Sequence, residues 1–65
     1  MHIDMTELDM DGMLHADVIV DSDERVSNKR VGNWLTKKLN LDHVESVERR
    51  FDNETGFEFF HVIGL

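Results

Sequence analysis

The string with the most chemical potential is Val18-Ile19-Val20-Asp21-Ser22-Asp23, an apolar run ending in two acids one residue apart. A strand that ends in Asp-x-Asp can present a nucleophilic carboxylate and a metal ligand for phosphoryl transfer. That chemistry also needs a substrate cleft, a distant Lys and further acids, more than 65 residues supply. These acids are therefore expected to cap the positive end of a following helix. Asp9-Met10-Asp11-Gly12 begins like a calcium loop but lacks the third acid position and the bidentate Glu at its proper spacing, so a turn is expected there. Asp4, Glu7, Asp9 and Asp11 are read as a solvated acidic edge that discourages strand-to-strand aggregation.

His2, His15, His43 and His61 are scattered without metal-ligand or catalytic spacing, although His15 and Asp17 share a strand face and can pair. Cysteine is absent, which removes disulfides and thiolate metal sites. With no nucleophile–base pair and no glycine-rich phosphate loop, the expectation is no catalytic centre, no cofactor and no metal.

The net charge is -7, and it is unevenly spread. Residues 1–24 hold eight acids and no Lys or Arg, whereas residues 25–50 hold all seven bases. The acidic total opposes general adhesion to nucleic acid, whose backbone repels it. The basic block leaves a specific contact open. A helix starting near Asp23 gathers Arg25, Lys29, Arg30 and Lys37 on the side away from Val31 and Leu35, with Asn33 among them. Such a face suits an anionic partner, either an acidic protein surface or nucleic acid.

The elements that position these residues follow from period and punctuation. Ile3 and Met5 alternate with polar residues before Asp11-Gly12, and Leu14, Ala16, Val18 and Val20 alternate after it. A two-residue turn at Asp11-Gly12 sets Ile3 beside Val20 and Met5 beside Val18 on one face. Val31, Trp34, Leu35 and Leu39 have helical spacing and are the expected buried stripe. Its start is either a cap at Asp21 or Ser22, with Glu24 completing a capping-box spacing from Asp21, or Ser27. Asn40 suits the left-handed cap, and Gly32 is expected where the helix approaches a sheet closely. Residues 43–51 fit a helix or a strand. The alternation of Val47, Arg49 and Phe51, with Asn53-Glu54-Thr55-Gly56 as a turn, favours strand, turn, strand.

The fold expected is a small single α+β domain over residues 1–65, two β-hairpins joined by one α-helix packed on one face of an antiparallel sheet (ββαββ). The strand from Phe57 to Ile63 is apolar on both faces, yet one helix covers only one. Apolar surface is thus expected to remain on the sheet, at Leu8, Met10, Met13, Ile19, Phe60 and Val62, as the partner-binding site. The function expected is that of a small acidic interaction module of inhibitor, adaptor or regulator type, as in phage- or plasmid-borne modulators, binding a partner protein or itself as a homodimer. The alternative is a dimeric nucleic-acid-binding regulator using the basic helix. No apolar run approaches the roughly 18 residues of a membrane span, and the acidic N-terminus is unlike a signal peptide, so a cytoplasmic protein is expected.

Overall fold

Asp9 sets how the first hairpin closes. In the computed structural model, which describes residues 1–21 and 24–65, β1 (His2–Leu8) and β2 (Leu14–Ile19) are joined by a loop spanning Asp9–Met13. Asp9 Oδ1 accepts hydrogen bonds from the backbone N–H groups of Asp11 and Met13, each 2.9 Å long. Gly12 takes the positive φ of 81° that this path requires. The side-chain bridge prevails over the two-residue turn at Asp11-Gly12, and the odd-numbered loop shifts the register by one. Leu8 now faces Leu14, and Met5 faces Asp17 instead of Val18. An irregularity between Ile3 and Met5 returns Ile3 to a position opposite Val18. Ile3 and Met5, expected together, therefore lie on opposite faces.

The helix α1 (Asn28–Leu39) begins at the Ser27 cap and not near Asp23. Ser27 is extended, with φ -85° and ψ 160°, and its Oγ accepts from the Arg30 N–H at 3.1 Å. The Asp21 carbonyl accepts from the Glu24 N–H at 2.9 Å, and the expectations for Ser22 and Asp23 lie outside the described residues. Asn40 ends the helix in the left-handed region at φ 54°, and Lys37 and Lys38 occupy the last turn, where the helix dipole favours cations.

Residues 44–51 form a strand, β3 (Val44–Phe51), paired with β4 (Glu58–Gly64). Their turn repeats the device of the first hairpin. Asp52 Oδ1 accepts from the N–H groups of Glu54 and Thr55 at 2.9 and 3.4 Å, and Gly56 has φ 76°. The four antiparallel strands make one open sheet in the order β1-β2-β4-β3. The two hairpins meet through β2 and β4, and the β1 acids Asp4 and Glu7 do sit on an edge strand.

Pairing of β2 with β4 decides which side becomes the core. Val18 lies beside Phe60 and Ala16 beside Val62, and these four are closed over by Val31 and Leu35 of α1 together with Val20 and Val26. Phe60, Leu35, Val18, Val31 and Val62 are the largest fully buried side chains. Each contributes roughly 1.5–3 kcal/mol of burial. Trp34 and Leu39, expected to be buried, are half-buried at the margin. Gly32 is buried against β3, where an added Cβ would lie 3.4 Å from Val47 Cγ2. Arg49 ties this layer at its open end. Its guanidinium donates to the Val26 carbonyl at 3.0 Å, pairs with Glu58 at 3.1 Å and lies over the Phe60 ring. No helix among the described residues is long and apolar enough to cross a membrane.

Candidate functional site

Among the described residues no second layer covers the sheet side away from α1, and the residues of that side follow from the registers. β2 contributes His15, Asp17 and Ile19, and β4 contributes Phe59, His61 and Ile63. On the flanks, Met5 and Glu7 of β1 stand opposite Asp17 and His15, while Ser46, Glu48 and Arg50 of β3 stand opposite Ile63, His61 and Phe59. Phe57 lies beyond the end of β4 and is 55% exposed. The result is an apolar ground of Ile19, Phe59 and Ile63 interrupted by a polar row.

That row is a continuous hydrogen-bonded chain. His15 Nε2 is 2.8 Å from Asp9 Oδ2, His15 Nδ1 is 3.1 Å from His61 Nε2, and His61 Nδ1 is 2.7 Å from Asp17 Oδ1. Each contact requires one proton. Two neutral imidazoles, with one N–H each, supply two of the three. Carboxylates close the row at its two ends. The His15 bond is also the main reason the Asp9 carboxyl is held below the usual carboxylate range, reinforced by the Met13 N–H; partial desolvation opposes them, and the Asp11 N–H adds a smaller lowering. The ring centroids are 5.3 Å apart with the planes tilted by 46°, so the two rings meet nearly nitrogen to nitrogen. Among the described residues no three His, Asp or Glu side chains come together as a metal-ligand set.

The anticipated pairing of His15 with Asp17 is thus replaced. Asp17 binds His61 across the strand junction, and His15 turns to Asp9 and His61. The link between His15 and His61 spans 46 positions and depends on the β2–β4 register, which no local spacing signals. Alternation along Phe57 to Ile63 did put His61 with Phe59 and Ile63.

The expected partner-binding residues divide. Ile19 lies on the open face, half-buried. Met10 is fully exposed in the first loop, Met13 is half-buried there, and Leu8 is exposed at the end of β1 on the helix side, which α1 does not reach. Phe60 and Val62 are corrected: at 0% and 1% exposure they are core residues beneath α1. They neighbour Val18 and Ala16, so the helix covers their side and leaves Phe57, Phe59 and Ile63 outside. Arg25, Lys29, Arg30 and Lys37 are all exposed, although Arg25 precedes the helix. α1 itself has four Lys or Arg residues and no acid, so the molecule is basic on its helix side and acidic on its open face. Comparison of the chain with protein-family models, with curated proteins and with solved structures finds no match.

Proposed function

We propose that this protein is a small interaction module, of inhibitor or adaptor type, that binds another protein through the helix-free face of its sheet and performs no catalysis of its own. The observation that carries this is the apolar ground of Ile19, Phe59 and Ile63 on the two central strands, continued by Phe57 and Met5, on a side that no layer covers among the described residues. Apolar area left open across the centre of a sheet marks an interface more often than an ordinary surface. The chain is too small to forgo such burial without loss of margin. A foreign partner is favoured over a second copy by charge. Two identical open faces would bring Glu7, Asp17 and Glu48 towards one another, with -7 on each chain.

The test is affinity capture from the native host with matched variants. Phe59→Asp should abolish capture, and Lys37→Glu should leave it intact. Capture that survives Phe59→Asp while the variant remains folded would remove the open face as the binding surface. Sedimentation equilibrium across protein concentration and salt distinguishes self-association, which would strengthen as salt screens the repulsion.

A second function, nucleic-acid binding through α1, has support in the exposed set Lys29, Arg30, Lys37 and Lys38 on a helix free of acids. Absence of DNA and RNA binding at low salt would eliminate it.

A further inference from the structure

We infer that the open face seats a cationic side chain of the partner, an Arg or Lys flanked by apolar residues, in a groove between the β1 irregularity and the β3–β4 turn; this rests on the docking face proposed above. The groove encloses about 350 Å³, with Asp4, Asp17 and Asp52 around Ile19, Phe57 and Phe59. Three elements bring the carboxylates together. The irregularity between Ile3 and Met5 leaves Asp4 without a ladder partner, next to Met5, which faces Asp17. Asp4 and Asp17 line the groove together, and Asp52 enters from the turn that its own Oδ1 closes. Asp17 is steadied by its 2.7 Å bond to His61.

The chemistry of the lining selects the occupant. Phe59, Phe57 and Ile19 offer contact to an aliphatic stem, and the carboxylates offer acceptors to its charged head, the division that Lys and Arg side chains satisfy. Among the described residues the Lys or Arg of this face is Arg50, which pairs its Nη2 with Glu48, 3.3 Å away, and not with the groove acids. The bases of α1 stand on the opposite side of the sheet. The partner must therefore bring the positive charge. The larger groove of about 480 Å³, beside Glu24, Arg25, Arg49 and Glu58, offers no such selection, because Arg49 and Glu58 already pair across it at 3.1 Å.

The experiment is an NMR titration of the labelled protein with a blocked pentapeptide carrying one Arg between two Val residues. Counterparts with Gln or Glu in place of Arg serve as comparisons. The Arg peptide should shift the amides of Ile19, Phe57 and Phe59 at millimolar concentration and bind more weakly as salt rises. Asp4→Asn should weaken it roughly two- to fivefold, the range of a single exposed ion pair. Asp4→Lys should weaken it further, and Asp11→Asn, an equal charge change on the first loop, should have no effect. Equal binding of the Gln peptide would overturn the cationic assignment while the docking face stood. So would a wild-type chain that self-associates at low salt and loses this with Lys37→Glu, which would make the helix of a second copy the occupant. No shift with any peptide, or shifts confined to α1, would overturn the groove itself. Failure of the docking face is read separately, from capture that survives Phe59→Asp.

Discussion

Two glycines, Gly64 and Gly32, face neighbouring elements from buried positions, and the same substitution should act with opposite sign at each. At Gly64 of β4 an added Cβ would lie 2.8 Å from the His43 carbonyl oxygen, 3.2 Å from Leu41 Cδ1 and 3.6 Å from Val44 Cα. The oxygen is backbone, and it already accepts the Leu65 N–H at 2.8 Å, so relief means prising β4 from the segment entering β3. Overpacking of this kind costs about 1–3 kcal/mol. At Gly32 the nearest atoms are Val47 Cγ2 at 3.4 Å and Val44 Cγ1 at 3.8 Å, side-chain methyl groups in near-normal contact. Ala there gains the helix-propensity difference, about 0.8–1 kcal/mol, less whatever Val47 must yield. Gly64→Ala should therefore lower the thermal midpoint by about 4–8 °C per kcal/mol lost, and Gly32→Ala should leave it level or raise it by a few degrees. Circular dichroism with heating, supported by urea unfolding, measures both. A Gly64→Ala protein as stable as wild type would refute the close packing of β4 on residues 43–44. A strongly destabilised Gly32→Ala would mean that the helix sits closer to β3 than described.

Other expectations follow from single contacts. Phe60→Ala should cost about 3–5 kcal/mol, because Phe60 is fully buried, while the exposed Phe57→Ala should leave urea unfolding almost unchanged; similar losses would invert the face assignment. Ser27→Ala should cost about 1 kcal/mol by freeing the Arg30 N–H, and no loss at all would return the helix start to an earlier residue. Asp9 is depressed when folded, so its stabilising contribution is complete above the ordinary carboxylate range and is lost as pH falls through its folded value. Removing the main cause with His15→Gln should move the Asp9 carboxyl titration, followed by carbon NMR, upwards; an unmoved titration would remove the His15 bond.

The open face and the basic helix place opposite charges on opposite sides of one thin domain. An exposed ion pair on either side carries little stability, so these charges act mainly on the choice and approach of a partner. The hydrogen-bonded row through His15 and His61 lies at the centre of the open face, where any docked chain would meet it.

Local chemistry settled the elements. Alternation marked the strands and grouped His61 with Phe59 and Ile63, helical spacing marked Val31 and Leu35, and the positive-φ positions Gly12, Gly56 and Asn40 were each readable from residue type. Ser27 stood in the chain as a competing cap, and the structure uses it because its hydroxyl reaches the Arg30 N–H. The long-range pairings were not legible. A period of two states which residues share a face but not which face a distant helix will cover, so Phe60 and Val62 read as surface until β4 is set beside Ala16 and Val18. The first-hairpin register turned on one side chain, Asp9, whose two backbone bonds lengthen the loop and carry Met5 to the open face. The Asp9–His15–His61–Asp17 chain exists only because β2 and β4 are neighbours, and that contact joins residues too far apart in sequence for any local propensity to encode.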